Sequence, residues 1–312
     1  MIRVARYIPR TVVLLAVALL LNAGCDTTGA NEVDPEYVVE AYLIAGETLP
    51  PVRLTQTVDL GRAYNYDSLA VRGAEVTIVE LGADGGPVAR YPYRTMRDTA
   101  GVYVPFGAER AQPLTTYRLE ITVPATGQRI RSTTTVPDTF SIVNANAREV
   151  VYQSPQQLEL TLTRSRYPGR DQSFYIFSTQ SFEPIRSNLT PLLREVIDDQ
   201  EDASLQDLRI TSSPVLNEES YEVNADGTLT LQLPWLAVAF YGRNRTTANA
   251  IDDNLYDFVR TQSAQQRGGG FTPGSIPNVI EHVEGGTGVF GSIARQSYDV
   301  TVLRPEIVSG TD

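Results

Sequence analysis

The stretch "PLTTYRLEITVPATGQRIRSTTTVP", residues 113–137, holds two runs in which apolar or β-branched residues alternate with polar ones, 117–123 and 129–136. Period-two alternation bounded by proline and glycine marks half-buried strands, not helices. Working outward toward the N-terminus, the same pattern recurs in "YVVEAYLI" (37–44), "VRLTQTVDL" (52–60), "AEVTIVEL" (74–81), "VARYPYRT" (88–95) and "GVYVPF" (101–106). Seven short strands within about 100 residues, with turn residues between them, give the spacing of a β-sandwich. The expected fold class is therefore mostly β, with an Ig-like or fibronectin-like sandwich over 37–137.

Within that stretch, "PLTTYRLEI" resembles the corner of fibronectin-type sandwiches, where a tyrosine near a strand start anchors the preceding turn through its hydroxyl. Tyr117 reads equally well as a plain strand former. After Pro137 and Asp138 the texture changes, and residues 138–312 read as a second β-rich domain. Strands are expected in "LELTLTR" (158–164) and "SFYIFSTQSF" (173–182), and a short helix around "PLLREVIDDQ". A hairpin is expected in "YEVNADGTLTLQLPWL", turning at 224–227. A longer helix is expected near 252–266, because Asp252 or Asp253 can cap it and Leu255, Phe258 and Val259 share one face.

Toward the start of the chain, residues 1–24 carry Arg3, Arg6 and Arg10 and no acid, then an apolar run over 11–21, then Ala23 and Gly24. A charged segment, an apolar core too short to span a membrane and small residues at its end read as a signal peptide. The single cysteine of the 312 residues, Cys25, follows at once. A lone exported cysteine has no internal disulfide partner. Ala23, Gly24 and Cys25 resemble a bacterial lipobox, with Asn22 standing where an aliphatic residue is usual, so Cys25 is expected to be lipidated. Residues 25–36, rich in small polar and acidic residues, read as a flexible tether.

Composition narrows the partners. All 26 basic residues are arginine, against 37 acids. With residues 1–24 removed, 23 arginines remain and the net charge is −14. Nucleic acid is excluded as an expected partner, since phosphate binding depends on net positive charge. No cofactor or metal is expected. The literal G-x-G-x-x-G at Gly286, Gly288 and Gly291 has no βαβ unit around it and reads as a tight turn or bulge. Lone His282 lacks a serine nucleophile in any recognisable motif. Exposed aromatics or loop residues that could meet a partner are Tyr64 and Tyr66 in "GRAYNYDS", and Phe271, Asn278 and His282 in the glycine-rich segment 268–291.

The tether followed by "YVVEAYL", then "VRLTQT", "GAEVTI", "GVYVP", "TTYRLEI", "TTTVPD" and "PNVIEHVEGGTGVFGS", resembles a family of outer-membrane lipoproteins that carry a domain of unknown function and are encoded beside TonB-dependent receptors. The resemblance rests most on Asn278, Gly285, Gly286 and the run 288–291. It implies an Ig-like N-terminal sandwich, a lipid-held place at the outer membrane, on the periplasmic or the surface side, and a TonB-dependent receptor as partner. It supplies no catalytic residue. The expected role is an accessory or ligand-capturing subunit, not an enzyme. A structural adhesin or assembly factor is the alternative, and a hydrolase pairing Asp252 or Asp253 with a distant glutamate ranks third.

Overall fold

The computed structural model describes residues 35–58, 65–199, 204–217, 220–266 and 280–305. Residues 37–135 supply β1 (Tyr37–Ile44), β2 (Val52–Gln56), a one-turn helix α1 (Tyr66–Leu69), β3 (Glu75–Leu81), β4 (Pro87–Thr95), β5 (Val102–Pro105), β6 (Thr116–Val123) and β7 (Gln128–Thr135). The alternation seen in sequence is the alternation of burial. In β6, Tyr117, Leu119, Ile121 and Val123 point inward while the residues between them are half-exposed. Because successive strand side chains face opposite sides, that pattern places one face in a core. The Tyr117 hydroxyl accepts a hydrogen bond from the Gln112 backbone N–H at 2.9 Å, which ties the preceding turn to the strand as a corner tyrosine would.

The rest of the chain adds β8 (Ile142–Ala145), β9 (Glu149–Val151), β10 (Glu159–Leu162), β11 (Phe174–Ser181), α2 (Pro191–Asp199), β12 (Ile210–Ser212), β13 (Tyr221–Val223) and β14 (Leu229–Gln232). It ends with β15 (Gly242–Ile251), α3 (Asp253–Gln266), β16 (Val283–Glu284) and β17 (Thr287–Leu303). The fold is mostly β with a few short helices. The hairpin at 224–227 is present: Gly227 takes φ +82° and the Asn224 N–H donates to the Thr228 carbonyl.

Hydrogen bonds link the larger sheet in the order β12-β11-β15-β17-β1-β2-β5-β4-β3-β6-β7-β16, and β9 pairs with β17. A separate sheet runs β13-β14-β10-β8. One core draws Val39, Leu43, Leu54, Ile78, Leu119 and Ile130 from residues 37–136 and Phe290 from β17. A second core sets Leu160, Leu162, Leu229 and Leu231 of the small sheet against Tyr175, Phe177, Ala248, Ala294 and Val300 of the large one. α3 covers part of the opposite face of the large sheet through Leu255, which packs with Ile251 and Val289.

β17 joins these layers. Its first half runs parallel to β1, from Val38 opposite Thr287 to Ile44 opposite Ile293. Its second half pairs antiparallel with β15 and parallel with β9. The glycines of 285–291 divide between two duties. Gly285 makes the turn at φ +77°. Gly288 and Gly291 lie inside β17, where a side chain would collide: a Cβ on Gly288 would sit 2.2 Å from the Val39 carbonyl oxygen, and one on Gly291 would sit 2.5 Å from Leu255 Cγ. β15 is absent from the sequence reading, as are the short strands β8, β9, β12 and β16. The β15 sequence "GRNRTTANAI" buries mainly asparagine, threonine and alanine, so it has no large-apolar alternation to find.

Candidate functional site

α3 begins with a built cap. The Leu255 N–H donates to Asp252 Oδ1 at 3.0 Å, an N-cap bond that satisfies one of the free donors of the first turn. Asp252 is fully buried. Its Oδ2 accepts from the Thr134 hydroxyl of β7 at 2.5 Å, and the Thr134 and Ser292 hydroxyls lie 2.7 Å apart. Burial pushes the Asp252 carboxyl up to about 6, against the hydrogen bonds from Thr134, Leu255 and Ser292. Next to it, the Asn254 amide donates to the Thr133 and Phe290 carbonyls, both at 2.8 Å. The start of α3, the end of β7 and the middle of β17 are thus locked by one polar cluster.

One turn further along α3, Asp257 Oδ2 meets His282 Nε2 at 2.8 Å. The backbone around His282 forms a strap along the edge of β7. Ser132 donates its hydroxyl to the His282 carbonyl at 2.6 Å, Val283 and Glu284 stand opposite Ser132 and Arg131, and the Gln128 amide donates to the Gly285 carbonyl at 2.7 Å. Between strap and sheet lies an open cleft of about 490 Å³, lined by Arg118, Arg131, Glu281, His282 and Glu284 among others. Arg118 is committed to Glu120, which also receives Arg90. Burial would raise the Glu120 carboxyl, but those two arginines outweigh it and hold it below its usual range. Arg131 has no ion-pair partner among the described residues. The cleft therefore presents one free guanidinium facing the exposed carboxylates Glu281 and Glu284 and the imidazole. That is an arrangement for polar recognition.

The sequence candidates fall as follows. His282 lies in the cleft. Tyr66 opens α1, and its hydroxyl donates to the Ala100 carbonyl at 3.0 Å. Cys25, Tyr64, Phe271 and Asn278 lie outside the described residues. Of the two carboxylates weighed for hydrolysis, Asp252 is sealed from solvent and Asp253 pairs with Arg170 at 3.3 Å. Among the described residues no cluster of histidine, cysteine and carboxylates is placed to hold a metal. Arg118 and Arg131 were not legible as cleft residues, nor Asp257 as the partner of His282, because they come from two strands and a helix whose convergence no local pattern encodes.

Three solved structures illustrate the comparison with known folds. An Escherichia coli alpha-2-macroglobulin activated by porcine elastase is 9% identical, with TM-score 0.22, over 88% of this chain and 21% of that one. A Salmonella alpha-2-macroglobulin reacted with methylamine is 8% identical, with TM-score 0.22, over 89% and 15%. The three N-terminal domains of the bacteriophage RB49 Highly Immunogenic Outer Capsid protein are 8% identical, with TM-score 0.23, over 87% and 71%. The chain thus spans about a fifth or less of the two macroglobulins. No curated protein matches it. The profile of one family, described as a domain of unknown function (DUF4249), matches residues 26–299.

Proposed function

The chain belongs to that family, and from this premise we propose that it is an exported, lipid-anchored protein of the outer membrane that works by binding, as an accessory subunit of a TonB-dependent receptor. The observation that carries the reading is the run Ala23-Gly24-Cys25 directly after an arginine-flanked apolar segment and directly before a polar tether. Several acyl chains on Cys25 would hold the protein firmly, since each buried methylene contributes about 0.8 kcal/mol and a single chain is marginal. Residues 26–36 extend at most about 40 Å, so the β body works close to the membrane that holds it. Its partners are then integral proteins of that membrane and their cargo. The strap cleft, with its free arginine, carboxylates and imidazole, suits polar recognition.

Cys25→Ser is expected to abolish incorporation of labelled palmitate and to release the protein from the membrane fraction. Mild crosslinking followed by detergent extraction of the tagged wild type is expected to recover a TonB-dependent receptor. Labelling that persists in the variant would refute the anchor. Recovery of other envelope proteins without any receptor would favour the adhesin or assembly role.

A further inference from the structure

Away from the strap, the large sheet carries a second polar cleft at the ends of β15 and β17. Two adjoining hollows of about 260 and 380 Å³ share Arg148 and Asp299. Pairing builds the site row by row: Arg245 of β15 lies opposite Asp299, and Arg243 lies opposite Thr301, which is itself opposite Glu149 of β9. Arg245 grips Asp299 with two hydrogen bonds of 2.8 and 3.1 Å. That carboxylate, held below its usual range chiefly by Arg245, is therefore already satisfied. Neither Arg148 nor Arg243 forms a salt bridge among the described residues, although the charge of Arg243 also acts on Asp299. With Glu149 and Asp299 counted against three arginines, the cleft is locally positive in a chain of net charge −11.

Two further features point to what would fill it. Phe182 at the rim is 40% exposed, and the guanidinium carbons of Arg243 and Arg245 stand 5.5 and 5.3 Å from its ring centroid. Stacking on an aromatic face orients an arginine while leaving its N–H groups free in the ring plane. Asn244, only 1% exposed, lines the same cleft. Its amide nitrogen donates to the Phe240 and Gly242 carbonyls, but its carbonyl oxygen has no hydrogen-bond partner among the described residues. An unsatisfied buried acceptor is costly and calls for a donor.

We propose that this cleft binds an acidic peptide segment of a partner protein: carboxylates for Arg148 and Arg243, a backbone N–H for Asn244, and an apolar side chain for Phe182. A free organic acid would supply the first group and not the other two. The inference goes beyond the receptor-accessory reading and does not depend on it, since it concerns this surface whether or not Cys25 is lipidated.

The test is fluorescence polarisation with the full chain in detergent at low salt. The probe is a labelled, end-capped pentapeptide alternating aspartate and phenylalanine. The wild type is expected to bind it, and to bind the asparagine-for-aspartate version at least about tenfold more weakly, as loss of charge-assisted hydrogen bonds implies. The double variant Arg148→Gln/Arg243→Gln, at two exposed positions, is expected to lose at least about tenfold while keeping the wild-type melting curve. Equal affinity of wild type and double variant would overturn the proposal. So would glutarate that displaces the probe at concentrations matching the peptide's own, which would assign the cleft to a free acid. Either failure would leave the receptor pull-down untouched.

Discussion

At the scale of single residues, Asp252 is the most exacting position in the described chain. It is buried, caps α3, and accepts from the Thr134 hydroxyl of β7, which itself meets the Ser292 hydroxyl of β17. Its carboxyl, pushed by burial from 3.8 to about 6, is protonated more readily in the folded than in the unfolded chain. Between those two values the native state binds the extra proton. Stability therefore falls as pH rises from about 4 to about 6 and levels off above, a loss on the order of 3 kcal/mol from this group. Asp252→Asn, which keeps an acceptor for the Leu255 N–H, is expected to flatten that stretch of the stability curve relative to wild type. Asp252→Ala removes the cap and the buried acceptor of the Thr134 hydroxyl, and is expected to cost about 2 kcal/mol or more at neutral pH. Urea denaturation of the three proteins from pH 4 to 7 measures both effects. A wild type and Asp252→Asn pair with parallel curves would show that the carboxyl does not titrate in this window.

At the scale of elements, β17 depends on the absence of side chains at two points, for different reasons. Gly288 combines φ +102° with a backbone oxygen, Val39 O, in the space a Cβ would need. Gly291 meets only the flexible end of Leu255. Both Gly288→Ala and Gly291→Ala are expected to destabilise by roughly 1–3 kcal/mol, the range for overpacking and strained backbone. Adding Leu255→Ala should recover part of the loss for Gly291→Ala, because it vacates the contested volume. It should recover none for Gly288→Ala, where the obstacle is β1 itself. Thermal melts of the two single and two double variants read this difference, and equal rescue in both would refute the assignment of the clashes.

At the scale of the whole molecule, the two large cores are stitched by one strand. β17 sends Phe290 into the first core and Ala294, Val300 and Val302 into the second. All the described elements also fall in one compact unit. The expectation is a single cooperative transition in calorimetry, with calorimetric and van't Hoff enthalpies in agreement. A chain cut before residue 287 should lose the cooperative melt in both halves, because β1 would forfeit its parallel partner and β15 one of its two antiparallel partners. Two resolved transitions in the intact protein would show instead that residues 37–137 and 138–312 are independent domains.

What the sequence determined by itself is what depends on neighbours along the chain. The alternation in 117–123, the hairpin turn at Gly227 and a helix cap at Asp252 or Asp253 are all local, since strand period, turn conformation and capping act within a few residues; the structure chose Asp252. Tyr117 lies between the two cases: its residue type hinted at a corner bond, and the 2.9 Å contact with Gln112 made it one. Only the tertiary structure decided the rest. β15 hides among small and polar residues because its inward positions are filled by the chains packed across from it. The glycines of β17 became strand because Val39 and Leu255, more than 30 residues away in sequence, occupy the space around them. Asp257 of α3 meets His282, and Arg148 and Arg243 line one cleft, because the sheet brings together segments far apart in sequence, and strand register is set by which faces can be buried together.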